Sequence, residues 1–251
     1  MKKWFALIAI FLSSYVVFLV ASMPLALVIN NIHLPKNIKV TGAFGSVWQG
    51  EIAQVTVNNN QIQQVKTQLS FWSLLTLSPQ VQVSFGDAMA AGLEGKFILT
   101  VTTEQLQLND VELYVAANDI AKQLSLPIPV TAQGHVELTF TELKLNIAGK
   151  LTCEQAQGQV TWLRAGVVAL DTNIKLGNIK ADFDCEQGDL IAKIEPKNNL
   201  GLSFNARLSL ANQKASGQGH IKPGANFPQE LKSVLSLLGH ADNQGRYPLR
   251  F

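Results

Sequence analysis

Charge is scarce in this 251-residue chain, at 15% of residues, and it nearly cancels, with 20 Lys and Arg against 18 Asp and Glu. A disordered chain needs low hydrophobicity and high net charge, and an apolar content of 47% excludes that class. No Lys/Arg block or basic stripe appears, so the counterion release that drives nucleic-acid binding has no footprint and nucleic acid is not expected as a partner. Signatures of chemistry are missing too. There is no Gly-x-Ser-x-Gly, no His-Glu-x-x-His and no Gly-Lys-Ser/Thr phosphate loop, while His33, His135, His220 and His240 stand singly. No catalytic residue, metal ligand or cofactor is assigned, and the chain is not read as an enzyme.

Cysteine is equally sparse. Cys153 and Cys185 are the two in the chain, with no Cys-x-x-Cys spacing and no histidine nearby, which disfavours a metal site. In an oxidising compartment an even pair points to a disulfide. The flanks, LTCEQAQG and DFDCEQGD, are alike, each cysteine ending a strand-like run, and paired strand ends would bring the two together.

Charge is absent altogether from Trp4 to Ile29, WFALIAIFLSSYVVFLVASMPLALVI, some 26 residues that as one helix would reach about 39 Å. The hydrocarbon core of a bilayer is roughly 30 Å thick. A cleaved signal peptide is the rival reading: Lys2 and Lys3 form a basic start, and Val20-Ala21-Ser22 resembles a cleavage pattern. The apolar run outlasts the about 7–15 residues of a signal core, continuing through Leu25 to Ile29, and Pro24 fits a kinked or ending membrane helix. Residues 1–32 are therefore expected to be a cytoplasmic tip and an uncleaved transmembrane anchor, and residues 33–251 one exported β-domain. Lys2 and Lys3 place the N-terminus in the cytoplasm, although Lys36 and Lys39 weaken the asymmetry. Without the anchor's two lysines the exported part holds 18 basic and 18 acidic residues and is neutral.

After residue 36 the apolar residues alternate with polar ones almost throughout. Val81, Val83 and Phe85 keep one parity, as do Leu200, Leu202, Phe204, Ala206, Leu208 and Leu210, the pattern of antiparallel sheet with one buried face. In LQLNDVELYV the parity slips between Leu108 and Val111, and in LTFTELKLNI between Phe140 and Leu143; each slip requires a bulge or a tight turn. Turn signals at Asn58-Asn59-Asn60, Gly86-Asp87, Ala91-Gly92, Lys197-Asn198-Asn199 and Gly224 favour a sandwich, a barrel or a long folded-over sheet. One helix is expected near the end: Asn226 caps it, Leu231, Val234, Leu235 and Leu238 form its stripe, and Gly239 closes it. Asp182, Asp184, Glu186 and Asp189 cluster near Cys185, more simply as a solvated strand edge than as a calcium loop.

Three glycines and two aromatics crowd into GAFGSVWQG, residues 42–50. No Gly-Lys-Ser/Thr follows, and Ser46 lacks the flanks of a nucleophile elbow. It reads as the turn from the tether into the first strand, Gly42, Gly45 and Gly50 permitting turns and close approach, and Trp48 anchoring that strand's packing or forming a contact site. The surrounding order is an apolar N-terminus, Leu34-Pro35, Val40-Thr41-Gly42, Gly45-Ser46-Val47-Trp48-Gln49-Gly50, then Trp72-Ser73-Leu74-Leu75. Near the end come Leu238-Gly239, Asp242 and GRYPLRF from Gly245 to Phe251. Together these resemble the type II secretion system protein N family, also called general secretion pathway protein N; the middle, roughly 85–225, matches in strand rhythm alone.

The resemblance implies a single-pass inner-membrane protein of a Gram-negative bacterium, with a periplasmic domain accessory to secretion. Its implied partners are the inner-membrane platform, protein C or the secretin, with no enzymatic activity or cofactor. Strand pairs such as LQLNDVELYV also look like the curved sheets of AsmA-like proteins, which implies an apolar groove for lipid as the alternative to a filled core. A third reading takes the alternation of Tyr247, Leu249 and Phe251 as the closing strand of a small outer-membrane barrel, which requires a cleaved signal.

Overall fold

The computed structural model describes residues 2–32, 37–57, 60–86, 92–123, 130–169, 172–233 and 235–251, without the side chains at positions 2, 3, 6, 9, 169 and 237. Leu34-Pro35, Lys36, His33, Asn58-Asn59, Asp87, Ala91 and Val234 therefore lie outside the described residues. The chain forms two compact units, Met1–Asp87 and Ala88–Phe251, whose boundary falls inside the span 33–251 expected as one β-domain.

The first unit opens with α1 (Lys2–Ala21) and α2 (Leu25–Asn31), followed by β1 (Ile38–Gly45), β2 (Gln49–Val57), β3 (Asn60–Leu69), α3 (Phe71–Leu75) and β4 (Gln80–Phe85). The strands pair antiparallel in chain order. The apolar run from Trp4 to Ile29 is divided at Pro24, the residue expected to kink or end the helix. Pro24 has no N–H to continue the ladder and its ring keeps Met23 out of the α region, so α1 stops at Ala21 and Pro24, extended at φ −69° and ψ 137°, starts α2. Trp4 is exposed on α1, whereas Ile29 is half-buried on α2. Among the described residues no helix is long and apolar enough to cross a membrane, the side chains at positions 2, 3, 6 and 9 of α1 being outside that description.

The second unit is a meander of nine strands: β5 (Glu94–Val101), β6 (Gln105–Ala116), β7 (Val130–Asn146), β8 (Thr152–Ala169), β9 (Thr172–Glu186), β10 (Asp189–Ile194), β11 (Leu202–Ser209), β12 (Lys214–Ile221) and β13 (Tyr247–Arg250), with α4 (Ala117–Ala121) after β6. Each pairs antiparallel with the next, and among the described residues β13 has β12 as its one strand partner. Both parity slips are bulges rather than turns. The β5–β6 register shifts between Lys96 and Ile98, opposite Asp110 at φ 49°, and the β7–β8 register shifts between Phe140 and Glu142. An extra residue in one strand restores the apolar set to one face.

That face carries the core: Val111, Phe140, Leu143, Cys153 and Ala156 are buried, with Phe183 packed on them, its ring 4.9 Å from Phe140. Gly158 lies under the Phe140 ring, where a Cβ would collide with it. Cys153, near the start of β8, and Cys185, near the end of β9, form a disulfide across 32 positions with Cα atoms 5.5 Å apart.

The helix expected from Asn226 to Gly239 is replaced by two short 3-10 turns, Gln229–Leu231 and Leu235–Leu238. Ser233 and Ser236 each donate a hydroxyl to the carbonyl three residues back, Glu230 and Ser233, which favours the tighter winding over a continued α-helix. Phe227, 3% exposed, and buried Leu235 hold the segment down.

Candidate functional site

The last turn of any helix leaves carbonyls without intrahelical donors. In α1 these acceptors are taken over by its own exit and by the β1–β2 hairpin. Phe18 O receives Ser22 N (2.9 Å) and Ser22 Oγ (2.7 Å), while Val20 O receives the indole Nε1 of Trp48 at 3.0 Å. Met23 O accepts Val47 N at 3.0 Å, and Pro24 bridges to Ser46. The tip of the hairpin is thus stitched to the break between the two helices.

GAFGSVWQG is consequently not the lead into the first strand. It is the end of β1, the hairpin turn and the start of β2, and it meets the tether from the side. Gly45, at φ 80°, makes the turn where a Cβ would strike Gln49 O, and Ser46 closes it by accepting Gln49 N at its Oγ (3.3 Å) and donating its backbone N–H to Gln49 O (3.0 Å). Gly42, at φ 71°, would bring a Cβ within 2.9 Å of Ala53 Cβ across the ladder. Gly50 serves a different end: a Cβ there would occupy the space of Leu25 Cδ2, so its bareness lets α2 seat Leu25 on the sheet.

Trp48 ties three elements. Its indole N–H donates to α1, its carbonyl accepts Leu69 N from β3 at 3.2 Å, and its ring lies 5.4 Å from Phe71 of α3. Phe71 in turn meets Trp72 edge-on at 5.9 Å, and Trp72 is 74% exposed. A cavity of about 660 Å³ lies between α1 and this hairpin, lined by Val16, Val17, Val20, Ala21, Trp48, Leu69 and Phe71 among others. Among the described residues lining this collar none is titratable, and the collar fixes an apolar helix to a sheet.

The disulfide cysteines belong to the second unit, and the residues of this collar belong to the first. Sequence reasoning found Gly42, Gly45, Trp48, Gly50 and Trp72 but missed Leu25, Phe71 and the carbonyl of Val20. A signal existed for Leu25, which follows the proline that breaks the apolar run. None existed for Val20, because a backbone acceptor has no residue signature.

The second unit holds a separate apolar cavity of about 700 Å³. The ends of β7, β8 and β9 supply Val130, Val167, Ile174 and Leu176, and Phe227, Leu231, Leu235 and Leu238 face them from the 3-10 segment. The acidic cluster is taken up in ion pairs instead: Asp182 with Lys180, Glu186 with Lys193 and Arg207, and Asp189 with Arg207. The Glu186 carboxylate accepting from Lys193 holds that ammonium above its usual pKa range. Near the end, Asp242 accepts Arg246 N and the Arg246 guanidinium, which lowers its pKa to about 2. Among the described residues no group of His, Cys, Asp or Glu is placed to hold a metal ion.

Comparison with known sequences finds relatives of the chain. Residues 36–250 match the family model described as type II secretion system (T2SS), protein N. The chain is 29% identical over 255 residues to the type II secretion system protein N of Aeromonas hydrophila, covering 100% of this chain and 98% of that one. It is 30% identical over 230 residues to the protein of the same name from Vibrio cholerae, covering 91% and 90%, and 24% identical over 239 residues to that of Pectobacterium carotovorum, covering 95% and 92%. No solved structure matches it.

Proposed function

Since the chain belongs to the type II secretion system protein N family, we propose that it is a tethered scaffold of that machine, accessory to protein export and without enzymatic activity. In this reading residues 1–32 are the cytoplasmic tip and single-pass anchor in the inner membrane, with α1 as the spanning segment. Residues 33–251 lie in the periplasm, where they contact other secretion components: the inner-membrane platform, protein C or the secretin. The observation that carries the reading is the bond from Trp48 to Val20 O, because it couples the position of an apolar helix to a sheet.

Further support comes from α1 itself. Its 20 residues would reach about 30 Å, the thickness of a bilayer's hydrocarbon core, and Phe11, Val17 and Phe18 stand 71%, 64% and 66% exposed, as lipid-facing side chains would. The disulfide suits an oxidising compartment such as the periplasm. The small-barrel reading loses ground because, among the described residues, β13 pairs on one side alone. Crosslinking in cells followed by mass spectrometry on the intact secretion complex tests the scaffold. Crosslinks to platform or secretin peptides are expected; their absence from an assembled, secreting complex would remove it.

A second reading has its own observation, the apolar cavity of about 700 Å³ in the second unit. Its size lies in the roughly 300–1,000 Å³ range of small-ligand pockets, and its walls suit a lipid chain. Lipid recovered with the purified protein, in the absence of crosslinks to secretion components, would favour this reading over the scaffold.

A further inference from the structure

Between β3 and β4 the chain does something that a segment facing water has no reason to do. From Thr67 to Gly86, TQLSFWSLLTLSPQVQVSFG, there is no charged residue. Within it α3 buries none of its side chains: Phe71 is 52% exposed, Trp72 74% and Leu75 65%, and just beyond the helix Leu77 is 86% exposed. One exposed leucine needs no explanation, but large apolar side chains at Phe71, Trp72, Leu74, Leu75 and Leu77, all exposed, do. Leu77 is also held at φ 56°, in the left-handed region that a branched side chain avoids, so the loop keeps it outward against backbone preference.

The polar groups of the same loop turn to one another. Ser73 Oγ donates to Ser70 O (2.6 Å) and accepts Gln80 N (2.9 Å). Thr76 Oγ1 reaches Ser73 O (2.9 Å) and shares a hydrogen bond with Ser78 Oγ (2.8 Å). These hydroxyls have partners without water, the condition for polar groups at a nonpolar boundary.

The position of the loop identifies its occupant. Phe71 shares a cavity with Val16, Val17, Val20 and Ala21, so it stands beside the last turn and a half of α1, about 7.5 Å of helix. Trp48 fixes it there, packed on Phe71 and bonded to Val20 O. The exposed apolar surface of α1 and that of the loop are therefore neighbours, and whatever covers the C-terminal turns of α1 is within reach of Phe71 and Trp72.

We propose that residues 71–77 are a second membrane contact: their aromatic and leucine side chains enter the interfacial layer of the bilayer that α1 crosses, at the helix's exit on the exported side. The inference rests on the reading of α1 as an anchor. Indole and phenyl rings prefer this headgroup level, and a loop without charge inserts through apolar area alone, needing no anionic lipid. The contact gives the first unit two points of attachment, one spanning and one lying on the surface, and so resists its rotation about the axis of α1.

The test uses the full chain, its native disulfide intact, reconstituted into vesicles of phosphatidylethanolamine and phosphatidylglycerol. A spin label is placed at Leu75→Cys, with Phe11→Cys in mid-α1 and Asn212→Cys in the β11–β12 turn as references. Accessibility to oxygen, which partitions into lipid, is compared with accessibility to a Ni(II) chelate, which stays in water. The Leu75 label is expected to gain oxygen and lose chelate accessibility relative to Asn212, and to do so equally in vesicles of phosphatidylcholine alone. If Phe11 reads as lipid while Leu75 reads like Asn212, the surface contact is overturned and the anchor stands. A Leu75 label screened from both reagents would show a protein partner there and would likewise overturn the contact. If Phe11 itself reads as water, the anchor fails and takes this inference with it.

Discussion

The two units are held together by different chemistry. Among the described residues of the first, from residue 37 to 86, the charged side chains are Lys39, Glu51 and Lys66, and none makes an ion pair. The second carries nine ion pairs among its described residues and the disulfide. The first unit faces its strands with glutamine, as in the cross-strand pairs Gln49 with Gln68 and Gln54 with Gln63, and leaves large apolar side chains exposed around α1 and α3. Charge next to hydrocarbon carries a desolvation cost, and an amide does not carry a full ionic one. The second unit instead carries its charge in ion pairs and has a cross-link between strand ends.

Four substitutions or titrations probe this contrast, the heaviest in the second unit. Phe140→Ala empties the centre of its core and is expected to lower stability by about 3–5 kcal/mol, measured by chemical denaturation of the detergent-solubilised chain. A negligible loss would show that the second unit does not depend on its apolar face. Replacing Cys153 and Cys185 together by serine should cost about 2–4 kcal/mol in the same assay, and a reductant should reproduce the loss in the unmodified chain.

In the first unit the corresponding tie is Trp48. Trp48→Ala removes one hydrogen bond and one aromatic pair, together about 1–3 kcal/mol, and should lower the abundance of the protein in the membrane fraction. Trp48→Phe keeps the ring and should recover part of the loss. An alanine variant of full abundance that fails only to crosslink to secretion components would make Trp48 a contact residue instead of a tie.

The smallest effect is a titration. The pKa of Asp242 in the folded chain is lowered to about 2, so its pairing with Arg246 contributes stability above the ordinary aspartate value near 3.9. That contribution fades as pH falls from there through about 2. Asp242→Asn should flatten the acid limb of the stability profile over that window, and an unchanged limb would mean that the pair contributes nothing.

Much of the second unit was legible because period-two alternation is a local property. The slips at Leu108 and Phe140 announced bulges, and two similar flanks announced the pairing of Cys153 with Cys185. The collar was half legible. Glycine spacing and Trp48 stood out, but their use did not: the motif closes a hairpin and grips a helix end, because Pro24 turned one apolar run into two helices. The helix expected after Asn226 failed for a comparable reason. Its stripe satisfies the 3.6-residue period, but serine hydroxyls bonding three residues back and the burial of Phe227 favour the tighter winding.

By itself, then, the sequence determined the class of the fold, the apolar front and the family, since each follows from residue type and spacing along the chain. Tertiary structure alone decided that Gly50 is bare to admit Leu25, that Trp48 completes the end of α1, and that Phe71 stands beside the same helix. Those are contacts between positions some 25 to 55 residues apart. Such contacts depend on how strand register and a proline break bring distant surfaces together, and no local pattern encodes that.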